Sequence, residues 1–195
     1  MNSEDTHTSK KTSARERILH TAHTLFYQNG IRATGVDKLI AQSSVTKTTF
    51  YRHFPSKNQL ILAFLEYRHT LWMRWFIDTL NKHGNTIEAI CPTCEEWFTS
   101  ENFRGCAFIN SVVEFGKELP EVVEITYRHK QDMVAVIAGL LVASNANPAN
   151  AKVIALALDG AIIHAQFGEE PTSILAPLGV MIKAFSSSPA PRKPS

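Results

Sequence analysis

The 195-residue sequence predicts an all-α chain of about nine helices, with a three-helix N-terminal domain followed by a larger helical domain. Three observations predict this. Apolar residues recur at helical spacing through most of the chain, no strand-like alternation persists, and capping residues, glycines and prolines separate the runs at helix-length intervals. The domains read as residues 13–58 and 59–187, with polar ends at 1–12 and 188–195 expected to be disordered.

The first helix opens on a capping box, Ser13 with Glu16. Its apolar stripe is Ile18, Leu19, Ala22, Leu25 and Phe26, and Gly30 stands where a left-handed cap ends it. Lys10 and Lys11, with Arg15 and Arg17, read as a basic arm for phosphates, or equally as a solubilising tail. Thr34 and Asp37 repeat the capping spacing, and Thr34 is placed to bond a phosphate at the start of the second helix. Val36, Leu39 and Ile40 give that helix one apolar face, and Gln42-Ser43-Ser44 breaks it.

Thr46 caps a third helix that turns Phe50 and Phe54 inward. Val45, Lys47, Thr48, Thr49, Tyr51, Arg52 and His53 are left for other faces, giving a cationic, hydroxyl-bearing and aromatic surface. Two short helices joined by a tight turn fit a helix-turn-helix, and this surface has the donors and the methyl group that a major-groove reader uses. Ser56 and Gln59 form another box that opens a long fourth helix to about His83, with Lys57 in its first turn within reach of a phosphate.

Asn85 and Glu88 are expected to cap a fifth helix to about Thr99, and Gly105-Cys106 begins a sixth. Pro120 opens a seventh helix, which ends near Ala143, and Asn147-Pro148 opens an eighth that runs to about Phe167. The ninth lies between Thr172 and Ser186, with Pro177 at its start or at a kink.

Charge divides unevenly. Residues 1–58 hold nine Lys and Arg against four Asp and Glu, net +5, and the remainder is net −3. The basic third coincides with the helix-turn-helix, which locates a polyanion contact there. No apolar run reaches a membrane span, the first residues are polar, and three cysteines do not make a secreted disulfide framework, so a cytoplasmic protein is expected. No cofactor motif such as GxGxxG appears, and the reading is of a non-enzyme without cofactor or metal.

The run Thr46 to Lys57, T-x-x-F-Y-R-H-F-x-S-K, resembles the DNA-binding domain of the TetR family of bacterial transcriptional regulators, and the likeness extends from Arg15 to about Leu65. The family usually has Ala-Gly where this chain has Ser43-Ser44, so Ser44 must take a turn conformation that suits glycine better. Gly-Cys-x-x-x-Asn at 105–110 is similar to a subset of the family's regulatory domains.

The resemblance implies a homodimeric repressor that binds an inverted-repeat DNA operator and is released by a small-molecule effector. Ala155, Leu158, Ile162, Ile163, Gln166, Leu178, Ile182 and Phe185, on the last two helices, would then form the dimer interface. Trp72, Trp75, Phe76, Phe108, Asn110, Glu114, Asp159 and His164 would line the effector pocket, with His129 a further polar residue in its neighbourhood. The same aromatics at helical spacing also suit an ordinary core. Two alternatives stand beside this reading. One is a thiol-based redox response at Cys106 or the Cys91/Cys94 pair, and the other is a constitutive DNA-binding module without effector.

Overall fold

The computed structural model describes residues 12–187. The polar ends, including Lys10 and Lys11, lie outside the described residues. Among those residues the chain is α-helical and has no strand. In order the helices are α1 (Ala14–Asn29), α2 (Val36–Gln42), α3 (Lys47–His53), α4 (Lys57–Lys82), α5 (Ile90–Phe98), α6 (Ala107–Phe115), α7 (Glu121–Ala143), α8 (Ala151–Gln166) and α9 (Pro171–Ser186). Two compact units divide within α4, Met1–Phe64 and Leu65–Ser195. Among the described residues no helix is long and apolar enough to cross a membrane.

In the first unit α1 packs on α2 and α3. Ser13 and Glu16 make the reciprocal capping box, and Gly30 takes φ 85° as its N–H returns to the Phe26 carbonyl. All five predicted stripe residues of α1 are buried. Leu39, Phe50 and Phe54 are buried in the same unit, and the Phe26 and Phe64 rings pack edge to face at 5.4 Å. Each such side chain contributes about 1.5–3 kcal/mol when removed from water. Thr46 caps α3 by accepting from the Thr49 N–H, and the Ser56 hydroxyl accepts from the Gln59 N–H at the start of α4.

Three expected caps form differently. The N-cap of α2 is Gly35, with no side-chain bond, while Thr34 turns inward. Asn85 takes a left-handed φ of 53° beyond Gly84, and a 3-10 turn at Ile87–Ala89 precedes α5. Asn147 accepts from the Ala149 N–H, but the turn it opens is a 3-10 turn, Pro148–Asn150, and α8 starts after it. Pro171 occupies the first turn of α9, which places Pro177 inside that helix.

In the second unit α7 packs on α6 and α8, and α9 packs on α8 and α5. Ile137, Leu141, Ile154, Leu158, Ile162 and Ile182 are all but sealed from solvent in its core.

Candidate functional site

The N-terminal unit presents α3 on a fixed turn. Ser44, the residue between α2 and α3, has φ 53°, a left-handed conformation that costs an L-residue roughly 1–2 kcal/mol. Arg17 holds that turn from α1. Its Nε donates to the Ser43 carbonyl at 3.2 Å and Nη2 to the Ser44 carbonyl at 3.5 Å. The Ser43 hydroxyl closes the end of α2 by donating to the Leu39 carbonyl at 2.6 Å. Arg17 is thus part of the scaffold, where the sequence suggested a phosphate-binding arm. Arg15 lies over the Phe54 ring, 5.2 Å from its centroid.

Beyond the turn, Lys47, Thr48, Tyr51 and Arg52 are exposed, and Val45, Thr49 and His53 are half-buried. The Phe50 and Tyr51 rings meet edge to face at 5.3 Å, which steadies the phenol at the surface. Thr46 is exposed, but its hydroxyl is engaged with Thr49.

Two predicted phosphate contacts have structural partners instead. Thr34 is fully buried, and its hydroxyl donates to the Gly30 carbonyl at 2.8 Å. The Lys57 ammonium donates to the Ile31 carbonyl at 2.6 Å and stands over the Phe26 ring. It ties the start of α4 to the loop after α1.

The second unit gathers its aromatics around Trp72. The Trp72 indole stacks on Phe76 at 4.8 Å and meets Trp97 at 5.4 Å and Trp75 at 6.2 Å. His129 lies parallel to Phe108, with centroids 3.7 Å apart, and edge-on to Trp72. Burial pushes the His129 imidazole pKa down to about 2, helped by its neighbours Lys130, His69 and Arg68, so it is neutral. Its Nδ1 is 3.1 Å from Nδ1 of His69, whose Nε2 is 3.5 Å from Asp132.

A small cavity of about 10 Å³ opens beside His129, between Trp72, Trp97, Cys106 and Phe108, with Arg68 and Lys130 in its wall. A second, closed gap lies between Trp72, Trp75, Phe76, Thr93 and Trp97. Of the predicted pocket residues, Trp72, Trp75, Phe76 and Phe108 meet here. Asp159 is salt-bridged to Lys130, one residue behind the wall.

The other three do not line either space. The Asn110 amide donates to the Arg104 carbonyl and its oxygen accepts from Gln166, both at 3.1 Å. Gly105 has φ 78°, a left-handed backbone that favours glycine, and lies directly against the Gln166 carboxamide. The Gly-Cys-x-x-x-Asn run is therefore a clasp between the loop before α6 and α8. His164 is exposed and paired with Glu169 at 2.6 Å, and Glu114 is half-buried elsewhere on α6.

The predicted dimer contacts also change. Ala155, Leu158, Ile162, Leu178 and Ile182 are buried within the protomer itself, because the apolar stripe expected to meet a partner is the inward one of α8 and α9. Phe185 is half-buried, Gln166 faces Asn110, and Ile163 alone of the set is an exposed large apolar residue. The outward face carries Leu156, Ile163, Phe167, Val180 and Met181, between 39% and 68% exposed. A groove of about 250 Å³ runs along it, floored by Ala157, Gly160, Ala161 and Pro177.

Sequence reasoning did not reach His69, Arg68, Thr93, Lys130 and Asp132. The only signal was His129 and Asp132 three apart on one helix, which is common.

Residues 18–64 match the family model for bacterial regulatory proteins of the tetR family. An uncharacterised HTH-type transcriptional regulator from the lacX 3′ region of Lactococcus lactis subsp. lactis is 22% identical over 151 residues, 71% of this chain and 77% of that protein. The crystal structure of a TetR-family transcriptional regulator from Streptomyces coelicolor superposes with a TM-score of 0.77 at 26% identity, covering 89% of this chain and 94% of that one. The reduced form of NemR from Escherichia coli also reaches 0.77, at 20% identity over 90% of this chain and 99% of its own, a likeness of fold. With the fixed turn and exposed α3 already described, these matches identify residues 18–64 as a tetR-family helix-turn-helix domain, and they support the TetR family of DNA-binding transcriptional regulators for a chain that shares its fold.

Proposed function

We propose that this regulator is a homodimeric repressor, bound to an inverted-repeat operator and released by a small-molecule effector held in the helical domain. The observation that carries the reading is the outward apolar face of α8 and α9. Leu156, Phe167 and Val180 are each more than half exposed, although α8 and α9 already bury a full inner stripe. A second copy of the same face covers such a surface in an isologous two-fold contact. One seven-residue reading helix, α3, covers little DNA, and a two-fold pair reads two half-sites.

Lys47, Thr48, Tyr51 and Arg52 are the proposed groove and backbone contacts, with Val45, Thr49 and His53 at their margin. The aromatic chamber around Trp72 and His129 supports the effector half of the reading. α4 contributes Trp72 and Trp75 to that chamber and also belongs to the DNA-binding unit, so an effector that prefers the released conformer shifts the population away from DNA.

A thiol switch has less support. Cys94 is buried, and burial pushes its thiol far above the ordinary value, with Cys91 raised for the same reason. Cys106 is 3% exposed.

The test is Leu156→Asp and Val180→Asp, measured by light scattering and operator titration. Both side chains are solvated in the single protomer, so each variant keeps its helical circular dichroism. Each becomes monomeric and loses tight operator binding while α3 is unaltered. A variant that remains dimeric with normal affinity removes this face from the interface.

A further inference from the structure

We propose that His69 sets which ring nitrogen of the buried His129 carries hydrogen, so that uptake of one proton from solvent turns the free nitrogen of His129 from a hydrogen-bond acceptor into a donor. The device is complete in the protein alone and does not depend on an effector.

The geometry is a chain of three side chains between α4 and α7. Asp132 Oδ2 lies 3.5 Å from His69 Nε2, and His69 Nδ1 lies 3.1 Å from His129 Nδ1. Exposure falls along it. The Asp132 side chain is 46% exposed, that of His69 20%, and His129 is buried. The His129 ring is fixed from two further sides, stacked on Phe108 and edge-on to Trp72. It therefore answers a change at His69 by moving a hydrogen rather than by turning.

Hydrogen counting assigns the state at neutral pH. One hydrogen lies between the two Nδ1 atoms, since two lone pairs or two N–H groups would repel at that distance. A carboxylate only accepts, so the hydrogen of neutral His69 sits on Nε2, toward Asp132. Its Nδ1 is then bare and accepts from His129 Nδ1–H. A neutral imidazole has one N–H, which leaves His129 Nε2 bare.

One added proton reverses this. As an imidazolium, His69 carries hydrogen on both nitrogens and donates Nε2–H to Asp132 and Nδ1–H to His129. His129 then accepts at Nδ1 and holds its own hydrogen on Nε2. The two rings bear two hydrogens before and three after, and water supplies the third. His129 stays neutral throughout, because burial above all holds its pKa at about 2. Both bonds of the His69 cation are charge-assisted, so acid keeps the chain joined.

The surrounding charges leave this chain intact. α7 also brings Arg128 and Lys130 to the contact, and α4 brings Glu66 and Arg68. Glu66 pairs with Arg128, and Lys130 pairs with Asp159 of α8, which leaves Asp132 as the carboxylate facing His69. His129 also bounds the cavity of about 10 Å³, with Cys106 in the same wall, and His69 does not. That space suits one water or one hydroxyl group. Nε2 is the polar atom His129 has left for it, bare at neutral pH and an N–H in acid.

The experiment labels the histidines of the full chain with nitrogen-15 and follows their rings by long-range proton–nitrogen correlation from pH 8 to pH 5. Loss of one set of signals in His129→Phe assigns that ring. His129 is expected to carry hydrogen on Nδ1 at pH 8 and on Nε2 at pH 5, its two nitrogens exchanging character as His69 gains its second hydrogen. His69→Phe should abolish the exchange. Asp132→Ala, at a half-exposed position, should show both His129 forms at pH 8, because the His69 hydrogen is no longer held on Nε2. Should His69→Phe lose its helical circular dichroism, Asp132→Ala decides the matter.

One unchanging form of His129 across the range, an exchange that survives in folded His69→Phe, or hydrogen wholly on His129 Nδ1 in Asp132→Ala at pH 8 overturns the proposal. So does a doubly protonated His129, or a His69 still neutral at pH 5.

Discussion

Arg17 Nε donates to the Ser43 carbonyl across 3.2 Å, joining α1 to the turn that aims α3. Ser43 is 2% exposed, so its carbonyl has poor access to water. Arg17→Ala leaves that acceptor without its partner and should destabilise the N-terminal unit by about 1–3 kcal/mol. Arg17→Lys should recover only part of this, because an ammonium lacks the planar fork that reaches two successive carbonyls. Urea denaturation followed by circular dichroism measures both. An unchanged midpoint in Arg17→Ala means the bond is not holding the turn.

Ser44 stands next in the same turn at φ 53°. Glycine takes that conformation without the Cβ clash, so Ser44→Gly should gain about 0.5–1 kcal/mol after its larger unfolded-state entropy is subtracted. Ser44→Val should lose stability, since a branched side chain resists the left-handed region most. The readout is the urea midpoint at constant m. A lower midpoint in Ser44→Gly would show that the serine side chain compensates its own strain.

Two lysines that look alike in the sequence should separate in a salt titration. Lys47 is exposed at the start of α3, and Lys57 is bonded to the Ile31 carbonyl. Lys47→Ala should flatten the dependence of log K on log salt by about one unit, as expected when one phosphate is no longer neutralised. Lys57→Ala should leave that slope alone and lower stability by about 1–3 kcal/mol. A flattened slope in Lys57→Ala would return that residue to the DNA surface.

This division marks what sequence reasoning reaches. Periodicity and caps are local, so the α1 stripe, the Thr46 cap, the inward Phe50 and Phe54 and the strained Ser44 are all legible. The partner of a long side chain is not local. Position alone assigns Arg17, Lys57 and Thr34 to phosphate, and each has a backbone carbonyl as its partner. The error on α8 and α9 has a different cause. Both helices are apolar on two sides, and periodicity cannot tell which stripe meets the protomer's own core. Leu158 and Ile162 turn in, while Leu156 and Ile163 turn out. The chamber is half legible, because aromatics mark a cluster but Arg68, Thr93 and Lys130 reach it from unrelated turns of three helices.

The same chamber makes a prediction about acid. His129 has its pKa held near 2 by burial first and by its neighbours Lys130, His69 and Arg68 second, against an ordinary value of 6.5. Between those values the unfolded chain carries a proton on this residue that the folded chain does not. Folding therefore loses stability as pH falls below about 6.5, at up to about 1.4 kcal/mol per pH unit, and has its full value above that. From pH 7 to pH 5 the loss from this residue should reach about 2 kcal/mol. His129→Phe keeps a ring against Phe108 and removes the titration. It should start less stable, for want of the bond to His69, and yet lose less stability over that interval. Glu96, held below its ordinary 4.5 by Lys82 and His83, and Glu169, held down by His164 and Ser173, give up their contributions only at lower pH. The difference between the two proteins from pH 7 to 5 therefore reports the contribution of residue 129. Urea midpoints for both proteins at pH 7, 6 and 5 give the two slopes. Equal slopes would mean that residue 129 is not a buried neutral imidazole.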